Sequence, residues 1–406
     1  MRILFVGYWA ASDPLTSATV VPHLRILAEF PSVREIVLAT IERDPSQAMT
    51  LELPKVKHVH LLSRPTRLNL ATRARDALLF PRVLSKLARA GGQARWDAVF
   101  ARSTQAGALA LEAARSSTAP LFVESYEPHA DYAVDAGAWS PSGLRATYLR
   151  LKMRTIEREA AALMPVTRWY GDVLAARGVP RKRIRVMPCA VDCARFAFSP
   201  SDRQRTRENL GLIGSGPVGI YVGKFGGLYY DKEVFQIVRR CFDRFPSFEF
   251  IFLSPMAAEV AQRCRAAGID TSRVRAMSVR HDEVPAYLSA ADFALTPVAP
   301  APSKRAQGTV KNAEYWANGL PVLMTDGVGD EATFLEAERA GAVFDLQKGT
   351  LDAAIDKIAA LLADEGHRTR IVTLAQRERS FDVVRDIYRS LLDELDGAAR
   401  PLSACA

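Results

Sequence analysis

What most constrains this chain is a repeated alternation of short, nearly unbroken apolar runs with segments of helical periodicity. Arg2 to Tyr8 (RILFVGY) is apolar at consecutive rather than alternate positions, which predicts a strand buried on both faces, as in a parallel sheet. A helix is expected over Val20 to Phe30. The strand signal returns at Glu35 to Ile41, His58 to Ser63, Asp97 to Ser103, Pro120 to Tyr126, Leu163 to Thr167 and Ile184 to Pro188, mostly with helical patterns between. Alternation of this kind predicts a doubly wound α/β domain with ligands at the carboxyl ends of its strands. No Gly-x-Gly-x-x-Gly follows the first strand, where the chain reads Trp9 to Ala18 (WAASDPLTSA), so a dinucleotide dehydrogenase is disfavoured.

A second series begins after a polar stretch containing Gly, Ser and Pro. Strands are expected at Val218 to Val222, Phe248 to Leu253, Val274 to Val279 and Asp292 to Thr296, with helices at Lys232 to Arg244, Met256 to Ala267 and Val284 to Ala290. Further helices follow at Leu351 to Ala363 and Glu365 to Leu395, the last interrupted near Ser380. With 406 residues the chain suits two domains, each with its own core. The boundaries drawn are 1–196 for the first domain, 197–217 for a linker, 218–379 for the second domain and 380–406 for a terminal helix.

Composition excludes several classes. No apolar run approaches the roughly 18 residues of a membrane span, and Met1 to Ala11 fits a first strand better than a signal peptide. Five cysteines without paired spacing argue against a disulfide framework and point to a reducing cytoplasm. Of the six histidines only His58 and His60 lie close in sequence; they read as alternate strand positions, and no metal is indicated. A net charge of +9 calls for a polyanionic partner: nucleic acid, an anionic membrane or a phosphorylated substrate.

The stretch Gly308 to Asp326 (GTVKNAEYWANGLPVLMTD) compresses a turn, a short amphipathic helix, a Gly-Pro break and a buried strand. Such a unit places a helix N-terminus at the edge of a sheet, where unpaired N–H groups and the helix dipole favour an anion such as a diphosphate. Gly308 and Thr309 can open the helix, and its start at Thr309, Val310 and Lys311 can supply N–H donors. Lys311 can meet phosphate, and Glu314, one turn on, can accept ribose hydroxyls. By spacing alone, the pair reads first as a solvated ion pair.

The run resembles the C-terminal-domain signature of the family 4 retaining glycosyltransferases, in the variant with a Lys-x-x-Glu-Tyr helix; Lys311, Glu314, Tyr315, Gly319, Pro321 and Val322 match. Arg185 to Phe196 (RVMPCAVDCARF) is similar to the family's Val-x-Pro-Asn-Gly-Val-Asp junction, with Cys189 and Ala190 replacing Asn-Gly, and Val284 to Pro297 is similar to the segment before its donor site. The resemblance covers nearly the whole chain. It implies the GT-B fold, two facing Rossmann-like domains with a cleft between them, and a last helix crossing back to the N-terminal domain. It implies no cofactor and no metal, with a nucleotide diphosphate sugar as donor and a glycan or lipid-linked acceptor. Lys224 occupies the arginine position of the family's glycine-rich loop, and Lys232 lies at the helix start beyond it. Lys224 and Lys311 are thus expected to stabilise the departing diphosphate. His129, after the strand at Pro120 to Tyr126, is expected to touch the donor sugar. Retention is implied by the family, whose proposed mechanism lets the leaving phosphate take the acceptor proton, and no enzymatic base is assigned. One departure stands out: eight positions before Glu314, where the commoner pattern has another glutamate, the residue is Ala306.

Basic residues crowd the first domain. Between Arg64 and Arg95, eight arginines and lysines face only Asp76; Arg82, Lys86 and Arg89 share a helical face beside Phe80, Val83, Leu84 and Leu87. The pattern fits an interfacial helix on an anionic membrane and equally a core-packed helix with a solvated basic face. No nucleic-acid module is recognisable. The reading is a cytoplasmic glycosyltransferase, peripheral on the inner face of the cell membrane, serving surface polysaccharide synthesis. A nucleotide-sugar 2-epimerase on the same fold and a non-catalytic nucleotide-sugar-binding protein are the alternatives.

Overall fold

Both halves of the chain build the same kind of sheet. The first contains β1 (Arg2–Gly7), β2 (Glu35–Glu42), β3 (Val56–Leu62), β4 (Ala98–Arg102), β5 (Leu121–Glu124) and β6 (Ala162–Met164), in the order β3-β2-β1-β4-β5-β6. The second contains β7 (Val218–Val222), β8 (Glu249–Leu253), β9 (Val274–Met277), β10 (Phe293–Thr296), β11 (Val322–Thr325) and β12 (Gly341–Phe344), in the order β12-β11-β10-β7-β8-β9. All pairings between these strands are parallel. In each sheet the order reverses beside the first strand, next to β4 in one and β10 in the other, and such a switch opens a crevice at the carboxyl edge. The computed structural model describes residues 1–64, 69–89, 95–212, 214–227 and 229–399. One unit comprises Met1–Met187 and the chain from Val384 on; the other is Pro188–Val383.

In the first unit, Phe5, Phe100 and Phe122 are register partners across β1, β4 and β5 and stack with centroids 6.4 and 4.8 Å apart. The last helix, Phe381–Ala399, lays Tyr388 against this row, edge-on to Phe100 at 5.9 Å. Tyr388 is fully buried, and its hydroxyl donates to the Glu124 carboxylate and lies 2.7 Å from His23 Nδ1. Arg102 donates to Glu124 at 3.0 Å. Burial pushes the Glu124 carboxyl up, against the pull of Arg102, and pushes the His23 imidazole well down. The terminal helix is therefore fastened by a buried polar cluster as well as by packing.

Three sequence expectations change. The segment expected as a linker, 197–217, contains a helix, Pro200–Leu210, belonging to the second unit. Ser199 caps it, Pro200 opens it and Gly211 closes it at φ 61°, while Arg203 and Arg207 clasp Asp292 at 2.6 and 2.8 Å. Few apolar residues mark it, because ion pairs rather than an apolar stripe hold it. The run at Ile184 to Pro188 is no strand: Ile184 makes a single bridge to Leu163, and Pro188 has no N–H to extend a ladder. Strand β12 is additional; its four residues are too few to show a period. The terminal helical segment does break at Ser380, between the helices His367–Arg379 and Phe381–Ala399. Among the described residues no helix is long and apolar enough to cross a membrane.

The Tyr388 cluster makes a direct prediction. Tyr388→Phe keeps the contact with Phe100 but strips a partner from the buried Glu124 carboxyl and His23 imidazole, which costs about 1–3 kcal/mol. Denaturant unfolding should show a loss of that size, and wild-type stability in the variant would mean that Glu124 needs no such partner.

Candidate functional site

In the second unit the switch point lies between β7 and β10, so their carboxyl-end loops define the crevice. β7 ends at Gly223, which takes φ 149°, and the chain continues through Lys224, Phe225, Gly226 and Gly227. Phe225 turns inward among Tyr221, Phe235 and Phe252. Lys224 is exposed and its carbonyl accepts the Tyr221 hydroxyl at 2.6 Å. Tyr229 then bridges to Val298, and the Tyr230 N–H donates to the Pro297 carbonyl at 3.0 Å, which ties the glycine-rich loop to the chain leaving β10.

Over this crevice comes the helix Val310–Ala317. Its buried face is Asn312, Ala313, Tyr315, Trp316 and Ala317. Tyr315 accepts the Val222 N–H at 3.1 Å, fastening the helix to the end of β7. Lys311 reaches back so that its ammonium lies 3.8 Å from the Tyr229 ring centroid and 5.2 Å from that of Tyr221. A Cβ on Gly223 would come within 2.7 Å of it, so a side chain there would push the ammonium from its present place. Among the described residues Lys311 makes no ion pair. Thr309 stands at the N-cap position, but its hydroxyl caps nothing and is buried without a partner among the described residues. The first-turn N–H groups beyond it are left open, the arrangement that accepts an anion.

Glu314 is buried, and it is not paired with Lys311. Its Oε1 lies 2.8 Å from His281 Nε2, on the segment after β9. His281 was not singled out from sequence; an isolated histidine in a polar loop carries no pattern, and only the fold brings it to the helix. The Glu331 carboxylate is a second unforeseen group. It is fully buried and paired with Arg379 at 3.3 Å through Oε1, while its Oε2 has no hydrogen-bond partner among the described residues. Burial pushes its carboxyl up, against the pull of Arg379. Ala306, fully buried at the end of a short turn, leaves no carboxylate at its own position.

The structure thus brings Thr309, Val310, Lys311, Glu314 and the backbone beside Lys224 together. Lys232 is exposed at the start of the helix Glu233–Arg244 and no bond joins it to the others. His129 belongs to the first unit, where it opens the helix His129–Asp135 beyond β5; its Nδ1 lies 3.2 Å from both the Thr104 hydroxyl and the Glu127 carbonyl. Arg82 and Lys86 are exposed on the helix Asn69–Arg89, beside exposed Leu78, Leu79 and Val83, whereas Phe80 and Leu84 face the core. The Arg89 side chain lies outside the described residues. His58 and His60 share a face of β3 with Glu42 of β2, and one ligand atom of each lies within 4.8 Å of the others. They form a hydrogen-bonded chain: Leu51 N–H donates to His58 Nδ1 at 3.1 Å, His58 Nε2 lies 2.7 Å from the Thr40 hydroxyl, and that hydroxyl donates to Glu42 at 2.6 Å.

Residues 33–190 match the glycosyl transferase 4-like domain family. A 2-deoxystreptamine glucosyltransferase of Streptomyces kanamyceticus is 30% identical over 144 residues, which are 34% of this chain and 37% of that protein. The chain therefore spans a little over a third of that curated relative. Among solved structures, sucrose-phosphate synthase from Thermosynechococcus elongatus superimposes with a TM-score of 0.75 at 15% identity, over 98% of this chain and 100% of that one. HepE of Anabaena, solved with UDP and also with UDP-glucose, gives 0.70 at 16% identity in its UDP complex, over 97% and 100%.

The β2–β3 cluster sets a pH dependence. Burial, and then neighbouring His60, push the His58 imidazole down to about 4. The unfolded chain takes up that proton near pH 6.5, so the contribution is complete above about pH 6.5 and is lost as pH falls toward the folded value. Melting curves across that range should show the loss, and His58→Gln should flatten it; parallel wild-type and variant profiles would remove His58 as the cause.

Proposed function

We propose, from the match of residues 33–190 to the glycosyl transferase 4-like domain family in a chain of GT-B fold, a metal-independent retaining glycosyltransferase that uses a nucleotide diphosphate sugar. The observation that carries the reading is the unpaired Lys311 ammonium beside an uncapped helix N-terminus at the switch point of the second sheet. A diphosphate there would meet N–H donors, the helix dipole and the lysine at once.

In the reaction, the bond between the anomeric carbon and the phosphate oxygen breaks, and its electron pair leaves with the diphosphate. The acceptor hydroxyl oxygen bonds to the anomeric carbon on the same face, and its proton passes to the leaving phosphate. Lys311 and Lys224 stabilise the charge that grows on the leaving group. Glu314, oriented by His281, accepts ribose hydroxyls. Lys232 adds positive charge at the next helix start, and His129 recognises sugar hydroxyls at the carboxyl edge of the first sheet. The acceptor is a glycan or lipid-linked molecule of surface polysaccharide synthesis. The protein works in the cytoplasm, held to the inner face of the membrane through Arg82, Lys86 and Arg89. HepE, of the same fold, binds UDP-glucose, which supports a nucleotide-sugar donor.

Thermal-shift screening of UDP-, GDP-, ADP- and dTDP-sugars identifies the donor, since a ligand at about 100 times its Kd adds about 2.7 kcal/mol. NMR of the product's anomeric configuration then tests retention. Lys311→Ala and Lys224→Ala should each slow transfer on the order of a hundred- to a thousandfold, the usual effect of losing one preorganised electrostatic partner. Folded variants with wild-type turnover would remove that role. Glu314→Gln should chiefly raise the nucleotide Kd, and an unchanged Kd would count against ribose contact.

Ala306 raises a second reading, a nucleotide-sugar-binding protein without turnover. The uncapped start of the helix Val310–Ala317, with its open N–H groups, supports activity without a carboxylate at 306. Ala306→Glu should therefore bring no gain, and should lower the melting temperature by burying a charge. A large gain from an inactive wild type that still binds donor would establish the non-catalytic reading.

A further inference from the structure

The helix Leu144–Glu159 carries a feature that sugar transfer does not use. Ala146, Leu149, Met153 and Ile156 form its buried face. Leu144, Tyr148 and Leu151 form a second apolar row, 80%, 43% and 56% exposed. Their i, i+4, i+7 spacing puts them on one face. At 3.6 residues per turn, Arg154 and Arg158 flank that row on one side and Arg145 and Lys152 on the other. The Lys152 ammonium lies 5.7 Å from the Tyr148 ring centroid.

Beside the row, between this helix and the segment 177–183, opens a cavity of about 790 Å³. Arg150, Arg154, Arg158, Arg177 and Arg183 line it, against only two carboxylates, Asp131 and Glu157. Those carboxylates are already engaged, by Arg150 at 2.8 Å and Arg177 at 3.4 Å. Arg183 donates to the carbonyls of Ala160 and Glu157. Arg158 donates to the Thr155 hydroxyl at 3.4 Å, and Arg154 makes no hydrogen bond or ion pair among the described residues.

An exposed apolar row with cations on both flanks and a guanidinium-lined cavity alongside suits one surface chemically, a leaflet of anionic phospholipid. We propose that Leu144–Glu159 is a membrane-docking helix: Leu144, Tyr148 and Leu151 enter the acyl boundary, and Arg154 and Arg158 draw a headgroup phosphate into the cavity. The placement agrees with the helix Asn69–Arg89, whose exposed Leu78, Leu79 and Val83 accompany Arg82 and Lys86. Both helices pack against Thr104–Ser117, and right-handed crossovers put all three on the same side of the sheet. The proposal thus extends the membrane contact from one helix to a helical layer, and it does not depend on turnover.

Co-sedimentation tests it, with vesicles of equimolar phosphatidylcholine and phosphatidylglycerol against vesicles of phosphatidylcholine alone. The wild type should prefer the anionic vesicles and release them at high salt. Arg154→Gln with Arg158→Gln should weaken binding on the order of thirtyfold, from the contribution of two basic groups at an anionic surface. Leu144→Ser, Tyr148→Ser and Leu151→Ser together should weaken it in low salt as well, where charge alone would hold. Wild-type melting temperatures and nucleotide-induced shifts would verify that both variants are folded and separate this test from that of transfer. The proposal fails if wild type ignores anionic vesicles at low salt, or if both folded variants bind like wild type. It also fails if only reversal of Arg82 and Lys86 matters, or if inorganic phosphate stabilises the protein through Arg154 and Arg158 while vesicles do not bind.

Discussion

One hydrogen bond organises the candidate site: the Val222 N–H, at the end of β7, donates to the buried hydroxyl of Tyr315. A fully buried phenol needs a partner, and the last residue of the central strand has an N–H to give because β7 ends there. The bond fixes how far the helix Val310–Ala317 slides along the sheet edge. The position of Lys311 follows, one turn before Tyr315 and against a glycine that cannot obstruct it. Burial also pushes the Tyr315 phenol well above its ordinary range, so the hydroxyl stays protonated and the tie persists across working pH.

With the helix fixed, the electrostatics of the crevice become one-sided. The Lys311 ammonium rests on the faces of Tyr229 and Tyr221, which favour a cation without neutralising it. Glu314, the carboxylate one turn away, is turned to His281 instead. Positive charge is thus kept available beside open N–H groups, and aromatic faces hold it in place. A carboxylate paired directly with Lys311 would steady the apo protein but compete with any phosphate.

The sheets and most helices were legible because their signal is local. Consecutive apolar residues such as those in RILFVGY can only be doubly buried strands, and the Gly-Pro break after the Lys-x-x-Glu-Tyr helix announces the next strand. The helix Pro200–Leu210 shows in the sequence only as a short helical possibility within a polar boundary, because its stability lies in caps and in Asp292, some ninety residues away in sequence, rather than in a stripe. The candidate site divides the same way. Thr309, Val310, Lys311 and Glu314 are neighbours in sequence and in space, so spacing alone groups them. His281 and Glu331 come from other elements, and no spacing rule connects them to the helix. Nor does spacing tell a capping threonine from one that leaves the helix end open, since the outcome depends on whether the side chain turns inward, as Thr309 does.

The two buried carboxylates, Glu124 and Glu331, show how the C-terminal chain is held on either side of Ser380. Before the break, Arg379 pairs with Glu331, and its carbonyl accepts the N–H of Val191 at 2.8 Å, so the strands of chain entering and leaving the second unit are bonded together within it. Beyond the break, Tyr388 meets Glu124 inside the first unit. Apolar contacts alone would let either helix shift by a turn at small cost, because one row of leucines and valines resembles the next. A buried carboxylate accepts only the partner placed for it, and a shifted register would leave it uncompensated at a cost of about 3–5 kcal/mol. Each lock therefore contributes less to net stability than to position, and position is what the site requires: the His367–Arg379 helix, whose register Arg379 and Glu331 fix, packs against the helix that carries Lys311.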